Sequence, residues 1–236
     1  MKNYYFNIQS KGGVGKSMLT YFQALKYEND DTAAFIDLDS SSHTSSQQLA
    51  FTAHKGRVFE IELLDGIKRI DREQLFKVLE ALNQTEHKEI FIDFGSSESD
   101  QLLRLLTIDF SIEEFKEFET MLEASFSFNI VVAGGTSFAP SCQYMKKISE
   151  AIAGKFPINL FVNEFTFKNN QDLIVEVQAF GKNSKGVVKK VIPFGNIFPD
   201  RASGIEIMNN IKEGKGLDAY KSFAARLLIK KEVAKI

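Results

Sequence analysis

Residues 10–17 run Ser-Lys-Gly-Gly-Val-Gly-Lys-Ser, and they join two segments of different period. Before them, Tyr4-Tyr5-Phe6-Asn7-Ile8 is nearly continuous in apolar and aromatic character, which suits a strand covered on both faces. After them, Met18-Leu19-Thr20-Tyr21-Phe22 opens an amphipathic helical pattern. Strand, glycine loop and helix in this order make a phosphate cradle. The glycines Gly12, Gly13 and Gly15, with Val14 among them, leave backbone N–H groups free to point inward around phosphate oxygens. The helix beginning near Lys16 adds the positive end of its dipole. In that frame Lys16 reaches the β- and γ-phosphates of a nucleotide, and the Ser17 hydroxyl binds Mg²⁺. A Lys-Gly-Gly-x-Gly-Lys-Ser/Thr run arises by chance in such a chain with a probability on the order of one in ten thousand. A glycine turn between two solvated lysines is the competing reading, and it leaves the flanking strand and helix without a reason.

The 236 residues are enough for one α/β domain, expected to span 1–236, with a sizeable core. No apolar run approaches the ~18 residues of a membrane span, and the N-terminus shows no signal-peptide pattern, so a cytoplasmic chain is expected. The lone Cys142 excludes an intrachain disulfide and suits a reducing compartment. It also leaves too few thiols for a zinc or iron–sulfur site. A net charge of −2 makes the whole molecule no obvious polyanion binder. The 22 Phe residues, with no Trp, are assigned to the core.

Apolar runs and helical patterns alternate along most of the chain. Strands are expected over Tyr4–Gln9, Thr32–Leu38, Glu89–Phe94, Ser127–Ala133, Ile158–Val162 and Val187–Ile192, with a short addition at Arg57–Leu63. Helices are expected over Ser17–Tyr27, Arg72–Asn83, Asp100–Leu106, Ile112–Ala124, Ser141–Ala153, Arg201–Lys212 and Leu217–Val233. Gly181–Gly186 reads as a loop. The alternation predicts an α/β fold, a doubly wound and mostly parallel sheet with helices on both faces. No repeat or linker divides it.

The phosphate loop departs from the ordinary pattern. Ser10 stands where Gly is usual, and Lys11 is an added cation. On its chemistry alone, Lys11 suits charge building up on a γ-phosphoryl group. This form resembles the deviant Walker A of the ParA/MinD-like P-loop ATPases. The resemblance implies ATP and Mg²⁺ as cofactors and an ATP-bound homodimer in which Lys11 acts across the interface. Four strand ends extend the likeness. Phe35-Ile36-Asp37-Leu38-Asp39 resembles the family's D-x-D segment. It implies that Asp39 orients the attacking water and that Asp37 supports the Mg²⁺ shell. The family's Pro-Gln-Gly-Asn is replaced by Ser40-Ser41-Ser42-His43-Thr44, and capping of a following helix is the alternative role for Asp39. Ile90-Phe91-Ile92-Asp93 resembles Walker B, with Asp93 on Mg²⁺ through water. Phe94-Gly95-Ser96-Ser97 replaces the usual Thr-Pro-Pro, and Gly95 retains an N–H for the γ-phosphate. Asp93 as a plain strand-end cap is the alternative. Leu160-Phe161-Val162-Asn163 resembles the position whose Asn bonds adenine, against a simple turn residue. Val191-Ile192-Pro193 resembles the Ile-Pro whose following loop lines the base. Asp93-Phe94-Gly95-Ser96-Ser97, the helix at 112–124 and Gly134-Gly135 resemble more narrowly the ParA-like ATPases of plasmid-stability and conjugal-transfer operons.

The C-terminal stretch carries Lys221, Arg226, Lys230, Lys231 and Lys235 among Phe223, Leu227, Leu228 and Ile229. Packing of the apolar stripe on the sheet with solvated lysines is expected, ahead of a membrane-surface helix. Lys182, Lys185, Lys189 and Lys190 form a basic cluster, either solvated or touching DNA phosphate. His43, His54 and His87 lack metal-ligand spacing. Three functions follow. The leading one is an ATPase switching its own dimer for DNA partition or transfer, with DNA and a DNA-binding or conjugation adaptor as partners. The others are a nucleotide-gated scaffold with negligible turnover, and a small-molecule synthetase or kinase on the same fold.

Overall fold

The computed structural model describes residues 1–40, 43–65, 69–184, 186–197 and 199–236, and Arg72 by its backbone alone. Ser41, Ser42 and Lys185, named above in the segment after Asp39 and in the basic cluster, lie outside the described residues. The strands are β1 (Lys2–Ile8), β2 (Ala33–Asp37), β3 (Val58–Glu60), β4 (Glu89–Asp93), β5 (Ala124–Ala133), β6 (Ile158–Asn163) and β7 (Val188–Phe194). They form one sheet in the order β3-β2-β4-β1-β5-β6-β7, every neighbouring pair parallel. The helices are α1 (Lys16–Lys26), α2 (Thr44–Gln48), α3 (Ala50–Ala53), α4 (Arg72–Asn83), α5 (Ser96–Arg104), α6 (Ile112–Met121), α7 (Phe138–Ile152), α8 (Asp172–Asn183), α9 (Ala202–Lys212) and α10 (Phe223–Lys235).

Parallel strands need crossover helices, and those helices cover both faces of the sheet. The strands are accordingly apolar on both sides. One core layer holds Tyr4, Phe6, Phe126 and Phe128 against Phe115 and Phe156; the other holds Phe35, Phe91, Val131 and Phe161 with Leu19 and Phe22 of α1. Phenylalanine recurs in both layers, as in the stacked Phe6–Phe128 and Phe35–Phe91 pairs. The second layer also contains a polar row. Asn7, Asn129 and Asn159 stand in register on β1, β5 and β6 and hydrogen-bond in series at 2.9 and 3.0 Å. Asn7 also donates to Thr20 and Gln23 of α1, at 2.9 and 2.7 Å. Buried amides need these partners, so the row fixes where α1 lies over β1 and hence where the loop between them closes.

β1 sits between β4 and β5, where the chain stops building the sheet in one direction and starts in the other. In open parallel sheets such a reversal leaves a crevice beyond the carboxyl ends of the strands. Residues 10–15 occupy that crevice.

Several boundaries differ from the sequence expectation, each for a local reason. The helix expected over 112–124 stops at Met121; Glu123 takes a left-handed φ of +50° and the chain turns into β5 at Ala124. α5 starts at Ser96, before the expected 100, and continues into a π turn at Leu105–Asp109. α7 starts at Phe138 and carries Pro140 in its first turn, where the missing N–H costs nothing. The single helix expected over 217–233 is a short 3₁₀ turn, Leu217–Ala219, followed by α10, because the Ser222 hydroxyl caps a new start at Ala225 N–H (3.2 Å). α8 is an addition. It spans Asp172–Asn183, with Val177 buried in the core beside β7. Gly181 lies inside this helix, so the expected loop there begins later. A Cβ on Gly181 would stand 2.4 Å from Val191 Cγ2, so the glycine serves close packing of α8 on β7. The stripe on α10 is only partly as expected: Ile229 is buried and Leu228 packs on the core, while Phe223 and Leu227 are exposed.

Candidate functional site

The loop leaves β1 at Gln9, a buried amide that pins it on three sides. Gln9 Nε2 donates to the Val131 carbonyl at 2.8 Å, its N–H donates to the Ser99 hydroxyl at 3.1 Å, and its Oε1 accepts from Lys11 N–H at 3.4 Å. Gly15 closes the loop at φ +103°, where a Cβ would stand 2.4 Å from Asn163 Nδ2. Both the backbone and the space therefore demand glycine. α1 then begins at Lys16 with no side-chain cap and no acidic residue in its first turn. Its first N–H groups are left for an anion.

Lys16 is buried and donates to the Gln9 carbonyl at 3.0 Å. Burial lowers its pKa from the ordinary lysine value, and the carboxylates of Asp93, Asp39 and Glu98 oppose that shift. Asp93 ends β4 fully buried, and its pKa is pushed up to about 7. Desolvation is the main cause and Asp37 adds to it, while the Lys16 ammonium and hydrogen bonds from Ser45 and Ser17 pull it back. Asp93 Oδ2 accepts from the Ser45 hydroxyl, whereas Oδ1 is buried with no hydrogen-bond partner among the described residues. Asp37 is held by Asp39 N–H at 3.0 Å and by Ser46 through its N–H at 2.8 Å and its hydroxyl at 2.9 Å. Ser45 and Ser46 belong to α2, so this short helix locks both strand-end acids.

Among the described residues no three His, Cys, Asp or Glu converge to hold a cation. The Mg²⁺ that a phosphate loop implies takes hydroxyl, water and phosphate oxygens, with the strand-end acid behind. The orphan Oδ1 of Asp93, in a carboxylate whose pKa Ser17 helps to lower, fits that donor set.

A cleft of about 460 Å³ opens over the loop. That is within the ordinary range of small-ligand pockets, roughly 300–1,000 Å³. Gly12 to Ser17, Asp39 and Ser96 line it, together with Asn163, Phe165, Thr166, Met18 and Met208. Asn163 Nδ2 donates to the Val14 carbonyl at 2.7 Å, leaving its Oδ1 buried and without a partner among the described residues. The structure thus brings Gly12, Gly13, Val14, Gly15, Lys16, Ser17, Asp39 and Asn163 onto one cleft, with Asp37 and Asp93 beneath it. Two named residues stand apart. Lys11 is exposed and does not line the cleft. Pro193 is half-buried on β7 opposite Val162, also off the lining; the closer residue is Gly195, where a Cβ would meet Asn163 Oδ1 at 2.8 Å. Gln9, Ser45, Ser46 and Glu98 are site residues that the motifs do not mark. Their one signal is adjacency to marked positions.

The fold is that of the ParA and MinD P-loop ATPases. The MinD cell division protein of Aquifex aeolicus superposes with a TM-score of 0.56 at 15% identity, over 99% of this chain and 95% of that one. A ParA family ATPase from Chlorobium tepidum TLS gives 0.51 at 15%, with 100% of each chain covered. A candidate plasmid partition protein from Borrelia burgdorferi B31 bound to AMPPNP gives 0.57 at 14%, over 98% and 95%. No family model and no curated protein matches the sequence.

Proposed function

We propose that residues 1–236 act as one ParA/MinD-like domain: a Mg²⁺-dependent, slow and partner-stimulated ATPase whose ATP-bound form is a homodimer. Its setting is DNA partition or conjugal transfer in the cytoplasm, with DNA and a DNA-binding or conjugation adaptor as partners. The observation that carries this reading is the convergence of Lys16, Ser17 and Asp93 under an uncapped helix N-terminus at the sheet's reversal point. The AMPPNP in the Borrelia burgdorferi neighbour supports ATP as the ligand.

In this reading the loop N–H groups and Lys16 bind the phosphates. Ser17 and Asp93, with Asp37 behind them, hold Mg²⁺, which when bound neutralises charge between phosphate oxygens. Asp39 orients the attacking water, and the exposed Lys11 reaches the nucleotide of the second subunit. Asn163 offers its unpartnered Oδ1 to the base, beside the loop that follows Pro193. No helix among the described residues is long and apolar enough to cross a membrane.

Calorimetric titration with Mg-ATP tests the core of the proposal. Lys16→Ala is expected to lose nucleotide binding while staying folded. Unchanged affinity in that variant rejects the phosphate-loop assignment. The scaffold reading keeps one specific support: the segment after Asp39 departs from the family's, and phosphate release with DNA and partner present separates it from a working ATPase.

A further inference from the structure

Glu98, in the first turn of α5, is a buried carboxylate that the nucleotide reading leaves without a task. Its Oε1 accepts from Ser40, through the backbone N–H at 3.3 Å and through the hydroxyl. Ser40 lies on the segment leaving β2, next to Asp39; Glu98 lies on the segment leaving β4, five residues past Asp93. One side chain therefore ties together the two segments that face the phosphate loop. Its second oxygen presses on Gly95. A Cβ at Gly95 would stand 2.1 Å from Glu98 Oε2 and 2.9 Å from Asp39 Oδ1. Any residue but glycine would push the two acids off this spot. They share it beside a buried cation, since the Lys16 ammonium feels Asp93, Asp39 and Glu98 together.

A nucleotide seated on the loop brings its terminal phosphate to Lys16. That anion meets a place where negative charge is already gathered. Asp93 has Ser45 as a donor, and Asp39 lines the cleft. Glu98 instead spends its hydrogen bonds on Ser40, a residue of the neighbouring loop. The more charge a nucleotide carries at that end, the more it gains when Glu98 is removed or moved aside.

We propose that Glu98 sets the discrimination between tri- and diphosphate nucleotides, latching Ser40 to the loop after β4 and opposing a γ-phosphoryl group until the latch opens. The proposal rests on the nucleotide-binding reading above. It makes Glu98 a specificity residue whose loss improves binding, an effect that damage to the structure does not mimic.

The test is competition titration of Mg-ATP and Mg-ADP against wild type, Glu98→Gln and Glu98→Ala, with thermal melts to confirm folding. Glu98→Gln keeps the shape and an acceptor for Ser40 and removes the charge. It is expected to tighten ATP about ten-fold, the order of one like-charge repulsion at a partly buried site, and ADP no more than about three-fold. Glu98→Ala is expected to move the ATP-to-ADP ratio in the same direction. If wild type binds neither nucleotide, the nucleotide reading fails. If wild type binds both and either folded variant leaves the ratio unchanged, the proposal is overturned. Lost turnover without a gain in ATP affinity overturns it too, and makes Glu98 a helper of hydrolysis.

Discussion

Replacing Asp93 by asparagine should stabilise the nucleotide-free protein above neutrality and weaken it as a nucleotide site. The reasoning starts from burial. Asp93 is 1% exposed, and its pKa stands at about 7 against 3.8 for a free aspartate. The folded protein thus holds a proton that the unfolded chain has already released between pH 4 and 7. Where the native state binds more protons, stability falls as pH rises. Below pH 4 both states are protonated and the group costs nothing. Above pH 7 both are ionised and the full cost stands, about 4 kcal/mol at ~1.4 kcal/mol per pH unit.

Lys16, Ser45 and Ser17 temper that cost, and Asp37 adds to it. Asparagine abolishes the charge and keeps an acceptor for Ser45 at the Oδ2 position, but it puts an unpaired amide NH2 where the orphan Oδ1 lies buried, at a cost of about 1 kcal/mol. The net expectation for Asp93→Asn is a gain of about 2–3 kcal/mol at pH 8, vanishing or slightly reversed at pH 4–5. In a domain of this size that is a rise in Tm of roughly 5–10 °C. The assay is urea or thermal unfolding from pH 4 to 8 without nucleotide, then with Mg-ATP. Ligand should raise the wild-type curve and leave the variant's nearly unmoved. A pH-independent difference between the two proteins would refute the buried-carboxylate argument. An equal ATP-induced rise in both would refute Asp93 as part of the Mg²⁺ shell.

Lys11→Ala should keep ATP affinity, because its side chain lies outside the cleft, and lose the ATP-dependent dimer or its turnover; light scattering with a non-hydrolysable analogue reads this. Asp39→Ala should bind ATP and dimerise yet release phosphate roughly 10²-fold more slowly, as expected for loss of a general base, and equal rates in wild type and variant would favour the scaffold reading. Gly181→Val should cost about 2 kcal/mol in chemical denaturation, since its Cβ would fall 2.4 Å from Val191 Cγ2, and should leave nucleotide affinity unchanged.

The site was legible where chemistry forces a local pattern. A phosphate cradle needs its glycines, its lysine and its hydroxyl within eight consecutive residues, between a strand and a helix, so the sequence displays it whole. Strand-end acids are legible for a similar reason: an apolar strand buried on both faces makes a terminal Asp conspicuous. α8 was hidden because β-branched residues carry an ambiguous local signal that packing beside β7 resolves. Gly181 misled because a glycine spared for close packing looks, in one dimension, like a glycine spared for a turn. The breaks around Glu123 and Ser222 depend on single residues leaving helical geometry, which no periodicity marks.

The supporting residues were illegible for a different reason, and that reason bears on function. Gln9, Ser45 and Glu98 act through partners distant in sequence, Gln9 on Val131, Ser45 on Asp93 and Glu98 on Ser40, while Ser46 acts on Asp37 across a turn of the chain. Three of these four bonds tie the segment after β2 to a strand-end acid or to α5. That segment is one of two where the sequence departs from the ParA/MinD-like pattern, since Ser40-Ser41-Ser42-His43-Thr44 stand where Pro-Gln-Gly-Asn is usual. In the structure Ser40, Ser45 and Ser46 are donors, and the carboxylates of Glu98, Asp93 and Asp37 are their respective acceptors. A divalent cation entering the cleft must compete with those hydroxyls for the same oxygens. Under the proposed function, a bound cation would be coupled to this segment by exchange of hydrogen-bond partners. By this logic serine-to-alanine changes at 40, 45 and 46 should loosen the nucleotide-free loop and raise, rather than lower, the affinity for Mg-ATP.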